Sequence, residues 1–173
     1  MSPEILTISG RYFNFETPLR SEFDINDIAH ALSHICRFNG HSISHYSVAQ
    51  HSVLCSYEVP EEYALDALLH DAAEAFVGDI TSPLKEMLGA TFYLVESKVQ
   101  SAITAMFGAR LAMPKCVKDA DLVLLRTEER DVMPPHDPWP FPDHIQPLKK
   151  RIKPWSAKNA KTIFLKRFEE LTK

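Results

Sequence analysis

Along most of this chain apolar residues recur every three or four positions, the spacing of helices that bury one face. The run DINDIAHALSHICRFNG (24–40) opens on an Asp/Asn cap and closes on Gly40, whose missing Cβ suits the left-handed turn after a helix; a helix with Arg37 in its last turn is expected. Further helices are expected over YSVAQHSVLCSYE (46–58) and over PEEYALDALLHDAAEAF (60–76), the latter with Pro60 ahead of its first turn. TFYLVESKVQSAITAMFG (91–108) closes on Gly108, and PKCVKDADLVLLRTEERDVM (114–133) runs from Pro114 to the Pro134-Pro135 stop. A closing helix is expected over 156–172. Strand signals are confined to the N-terminal arm (1–23), where ISGRYFNFETP alternates enough for a short strand or extended segment. No internal repeat interrupts this pattern. The expected fold is an all-α helical bundle in one domain spanning 1–173.

Residues 134–155 break the helical pattern. Seven prolines lie between Pro134 and Pro154 beside Trp139, Phe141 and Trp155, which excludes regular helix but leaves much apolar surface to dock. An ordered irregular segment follows from this, acting as a strap over the core or as a lid or subunit contact. Trp139 and Phe141 on a proline-stiffened backbone would lose little entropy on docking, so they are candidate anchors of a homo-oligomer.

Composition narrows the function classes. A chain of 173 residues with 45% hydrophobic and 24% charged residues can bury a core without disulfides or structural metals. The net charge of −4 argues against a nucleic-acid polymer as partner while leaving small anionic ligands open. Cys36, Cys55 and Cys116 are odd in number and show no C-x-x-C spacing, as expected of a reducing cytoplasm. No leader pattern and no long apolar run is present, so neither export nor a membrane partner is expected.

The chemistry-bearing residues cluster in ALLHDAAEAFVGDI (67–80). On a helix His70, Asp71 and Glu74 share an arc of about 100°, opposite Leu65, Leu68, Leu69 and Phe76, with small Ala67 in the polar arc. His51 has Val48 three residues before it and Leu54 and Cys55 three and four after, so it belongs to an apolar stripe. Asp121, flanked by Val117, Leu124 and Leu125 at helical spacing, places a carboxylate on another, and burying a carboxylate is costly without a cation. If His51, His70, Asp71 and Asp121 converge, one divalent metal ion answers that cost and keeps coordination positions open. Mn, Fe, Co, Ni and Zn all suit two imidazoles and two carboxylates, and Mg is possible. Glu74, one turn from His70, is then an acid or base rather than a ligand. Asp119 competes with Asp121 for the last position; the apolar stripe favours Asp121. The His30/His34 and His41/His45 pairs have metal spacing too, but the first lacks an acidic third ligand nearby in sequence.

His51, the pair His70-Asp71 and the later Asp121 stand in the order H, HD, D, and with them the chain resembles the HD-domain metal-dependent phosphohydrolases, which are all-helical. Within that family it is most similar to the small bacterial 5′-deoxynucleotidases and to phage and prophage deoxynucleotide phosphohydrolases, including dATP triphosphohydrolases, over about residues 10 to 133. The resemblance implies that Arg37-Phe38 stands where those enzymes carry an Arg-aromatic pair that helps select deoxyribose, with Phe38 replacing the usual Trp. It also implies catalytic or substrate-contacting roles for Glu74 and Asp79, and Lys85 in TSPLK as a counterpart of a lysine in TPVK. Related enzymes form dimers or larger rings, which again points to a homo-oligomer.

The expected activity is hydrolysis of the 5′-phosphate ester of a deoxynucleotide, releasing phosphate or polyphosphate. Arg37 and Lys85 would clamp phosphate oxygens, Glu74 would orient water or protonate the leaving oxygen, and His41, just after Gly40, would touch phosphate. Two alternatives stand beside it: a non-catalytic nucleotide-binding scaffold, and a hydrolase of cyclic nucleotides or guanosine polyphosphates.

Overall fold

In the computed structural model, which describes residues 2–173, helices carry nearly all the regular structure, as the periodicity predicts. The N-terminal arm is an antiparallel hairpin of β1 (Glu4–Leu6) and β2 (Tyr12–Asn14), with Ile5 opposite Phe13. Two short strands cannot hold together alone in water, and Phe13 supplies the anchor. Its fully buried ring stacks on Phe76 at 3.8 Å between centroids and meets Phe23 edge-on at 5.4 Å.

The helices are α1 (Ile25–His34), α2 (Val48–Tyr57), α3 (Ala64–Leu68), α4 (Glu74–Val77), α5 (Ser82–Leu88), α6 (Ala90–Phe107), α7 (Lys115–Val132) and α8 (Ala157–Leu171). α1 begins where the cap predicts: the Asp24 carboxylate accepts from the N–H groups of Asn26 and Asp27, and Asp27 reciprocates. Its end differs from expectation. The helix stops at His34 because residues 35–37 pair instead with 46–48, Arg37 N–H reaching Tyr46 O at 2.9 Å and Val48 N–H reaching Ile35 O at 3.1 Å. Gly40 closes a separate 3-10 turn, Phe38–Gly40, in which Phe38 and Asn39 hold φ of 56° and 51°. Two consecutive left-handed non-glycine residues are strained, and such strain concentrates at functional sites.

The helix expected over 60–76 is broken between α3 and α4. Ala72, Glu74 and Ala75 bond three residues back, to Leu69, Asp71 and Ala72, so the chain tightens into a series of turns. Gln100 of α6 splints the gap, its amide accepting Ala73 N–H at 3.0 Å and donating to Leu69 O at 2.7 Å. Gly78, at φ 83°, then turns the chain toward α5, a helix the sequence pattern did not predict, opened by Pro83 in its first turn.

One apolar cluster joins α1, α2, α3, α6 and α8 through Ile28, Leu32, Val53, Leu68, Ile103 and Phe164. A second seats α7 against α2 and α3, through Val117, Leu124, Cys55 and Ala67. The proline-rich segment is a strap tied down by polar side chains. Arg126 and Arg130 donate to the carbonyls of Ile145 and Leu148, Asp131 accepts Ile152 N–H at 2.8 Å, and Gln50 bonds both Lys153 O and Trp155 N–H. Phe141 lies 5.6 Å from the Arg126 guanidinium and Trp139 5.9 Å from Phe38. Both rings thus contact their own chain, as a strap would, and each keeps part of its surface exposed. Among the described residues no helix is long and apolar enough to cross a membrane.

Phe13→Ala should cost about 3–5 kcal/mol, the usual range for deleting a buried ring, read as a lowered urea midpoint. A loss under about 1 kcal/mol would mean that the arm is not part of the core.

Candidate metal centre

Three segments bring their donors to one point. α2 supplies His51, fully buried; the turn after α3 supplies His70 and Asp71; α7 supplies Asp121. His51 Nε2 lies 3.3 Å from His70 Nε2, 3.1 Å from Asp121 Oδ1 and 3.6 Å from Asp71 Oδ2, and His70 Nε2 lies 3.1 Å from that same Asp71 oxygen. Donors about 2.0–2.3 Å from a shared ion sit roughly 3 Å from one another, so these separations match the edges of a coordination shell. The convergence does not depend on the helical arc read from the sequence, since the break removes that regular face.

The outer ring nitrogens explain why a cation suits the site. His70 Nδ1 faces Ala67 O at 2.7 Å and His51 Nδ1 faces a Glu128 carboxylate oxygen at 2.6 Å, and neither oxygen can donate. Both Nδ1 atoms therefore carry the proton, which leaves two Nε2 lone pairs aimed at each other. A shared cation or an extra proton relieves that arrangement. Cys55, one turn after His51 on α2, adds Sγ at 3.5 Å from His51 Nε2. His51, Cys55, His70 and Asp121 each place a donor atom within 4.8 Å of the others, so this buried group could hold a metal ion.

Glu128, two turns along α7 from Asp121, is the residue that no sequence expectation singled out. Its fully buried carboxylate accepts from His51 Nδ1, from Tyr46 Oη at 2.8 Å, and from Arg37 Nε and Nη2 at 3.2 and 3.0 Å. Its spacing of seven from Asp121 was the available signal, hidden in the acid-rich run RTEERD that reads as a solvated face. Arg37 is mostly spent on this carboxylate; Nη1, 3.6 Å from Asp71 Oδ2, faces the centre. Asp121 is less buried than its stripe implied, its side chain 40% exposed at the edge of the packed face of α7. Asp119 pairs with Lys115 instead.

Beside the donors opens a cavity of about 540 Å³, lined by Asp71 and Asp121 and by the expected residues Arg37, Phe38, Glu74, Asp79 and Lys85. Trp139 of the strap completes its wall. His41 is exposed and is not among the residues that line the cavity. Glu74 is buried with Oε2 lacking any hydrogen-bond partner, while Oε1 lies 3.7 Å from Lys85 Nζ. Lys85 is itself held by Glu96 at 2.7 Å.

The chain is 41% identical over 170 residues to the uncharacterized protein YfdR of Escherichia coli (strain K12), covering 97% of this chain and 95% of YfdR. The chain belongs to the YfdR family. A second relative, an uncharacterized protein of Rhodobacter capsulatus, is 32% identical over 138 residues, 72% of this chain and 70% of its own length. No family model matches the chain.

In this YfdR-family chain protonation is divided by environment. Burial, with Asp71 and Asp79 close by, pushes Glu74 well above the usual carboxylate range, and burial raises Asp79 as well. Burial would raise Asp71 too, but His70, His51 and Arg37 outweigh it and hold Asp71 far below its ordinary value. Burial opposes a charged His70, yet Asp71 and Asp121 outweigh it and raise its pKa.

A folded-state pKa above the unfolded one stabilises the protonated form, so without metal the contribution of His70 is full below about pH 6.5 and is lost as pH rises through the raised value. Chelator-treated protein should therefore melt at lower temperature as pH climbs through that window, whereas added metal, which competes with those protons, should stabilise more at the higher pH. A metal-free melting temperature unchanged across the window would contradict the assignment.

Glu128→Gln keeps the shape but removes the charge that orients His51. Metal affinity in a chelator competition should fall about 10–100-fold, the scale for losing an orienting partner, whereas Asp119→Asn should leave it unchanged. Equal affinities for both variants would remove Glu128 from the site.

Proposed function

We propose that the chain is an HD-type metal-dependent phosphohydrolase that cuts deoxynucleotides between the 5′-oxygen and the α-phosphorus. The observation that carries this reading is Glu74, a buried acid whose Oε2 has no hydrogen-bond partner, in the wall of a nucleotide-sized cavity that reaches Asp71 and Asp121 of the donor set. Leaving a buried polar group unpaired costs about 1–3 kcal/mol, a cost that a scaffold has no reason to carry.

A divalent ion held by His51, His70, Asp71 and Asp121 would supply an activated water and offset phosphate charge. The protein's own groups do the rest. Glu74, kept protonated by burial and by its acidic neighbours, can deliver a proton from Oε2 to the leaving 5′-oxygen. Arg37 Nη1 and Lys85 Nζ supply positive charge for the phosphate oxygens. Asp79, also on the wall, is placed to accept from a sugar hydroxyl. Phe38 and Trp139, 5.9 Å apart, make an apolar rim against which a 2′-hydroxyl would be crowded and unpaired, which favours deoxyribose.

The test is a panel of deoxy- and ribonucleotides at each phosphate level, cyclic nucleotides and guanosine polyphosphates, run with several divalent metals and with product identification. Deoxynucleoside should appear with phosphate or intact polyphosphate. Glu74→Gln should lower the rate about 10²–10⁴-fold, as for loss of a general acid, with metal content unchanged. No turnover on any member would sink the enzyme reading; equal rates on dAMP and AMP would remove the sugar preference.

A further inference from the structure

The donors around His51 Nε2 fall on two sides. Asp71 and Asp121 line the cavity, whereas Cys55 is fully buried and stands on the core side, packed with the apolar residues Ala67, Val117 and Leu124. Its sulfur lies 3.5 Å from His51 Nε2, the nitrogen that also faces His70 and Asp121. Sulfur and nitrogen bound to one ion at about 2.3 and 2.0 Å sit roughly 3.5 Å apart in a tetrahedral site.

Resting on the metal reading above, we infer that Cys55 is itself a further ligand, its sulfur closing the core side of an ion held with His51, His70, Asp71 and Asp121, the two aspartates standing on the cavity side. On binding, the thiol loses its proton to solvent and a sulfur–metal bond forms, with no change of oxidation state. A thiolate is a soft donor, so the site favours Zn, Co or Fe over Mg or Mn.

The full chain, stripped of metal and loaded with cobalt(II), tests this without any substrate. Wild-type protein should show cobalt d–d bands in the visible together with a near-ultraviolet sulfur-to-cobalt charge-transfer band. Cys55→Ser and Cys55→Ala should keep the visible bands and lose the near-ultraviolet one, while Cys36→Ser and Cys116→Ser keep both. The preference for zinc over manganese in a competition should narrow in Cys55→Ser. Visible bands without charge transfer in wild type, or a charge-transfer band that survives both Cys55 variants, would overturn the role of Cys55 while leaving the metal centre standing. The absence of any cobalt spectrum would overturn both, and the wild-type spectrum decides even if neither variant folds.

Discussion

The buried carboxylate of Glu128 is the constraint around which the site is arranged. An ionised carboxylate with no exposure to water is tolerable only when its lone pairs are met by donors and its charge by a cation. Tyr46, His51 and Arg37 meet that demand from three segments, holding Glu128 below the usual carboxylate range against the opposing effect of burial. Each contact has a structural consequence. Arg37 must leave helical geometry to reach inward, so α1 ends early and the chain doubles back through the left-handed pair Phe38-Asn39. His51 is fixed in the tautomer that sends its other nitrogen toward His70 and Asp121.

A second concession follows from the need to place His70, Asp71 and Glu74 on different sides of one small space. A regular helix cannot aim adjacent residues at a single point, because consecutive side chains diverge by about 100°. The chain gives up helical hydrogen bonds between α3 and α4, and the Gln100 amide, donor and acceptor at once, satisfies two of the exposed backbone groups from α6. Within that turn Asp71 is held ionised by its cationic neighbours while Glu74, three residues on, is pushed toward the neutral form. Two carboxyls with opposed protonation beside one another are the material of acid–base chemistry.

The strap links the site to the remainder of the fold. Its backbone is bound by side chains of α7 and by Gln50 of α2, the helices that also carry Asp121, Glu128 and His51, so one pair of helices positions two of the donors together with the strap. Proline-rich chain lacks N–H groups and a regular bonding pattern, and carbonyls directed at Arg126 and Arg130 take their place.

The sequence by itself determined the helical character of the chain, since apolar spacing and caps such as Asp24, Ser47 and Ser156 are local signals. It also singled out His51, His70, Asp71 and Asp121, which the fold brings together, because two imidazoles and two carboxylates near apolar stripes are an expensive combination. Tertiary structure decided what depends on contacts distant in the chain. The end of α1 at His34, the break after Leu68 and the inward turn of Glu128 each trade a local preference for a partner on another helix: Tyr46 O for Arg37 N–H, Gln100 for the gap, and Arg37 and His51 for the carboxylate. Cys55 reads in sequence as one more apolar residue of α2, and only the packing of α2 against α3 and α7 sets its sulfur beside the donors. Periodicity reports which face of a helix is buried, but what that face meets is settled by the folded chain, where the cost of burying charge selects the partner.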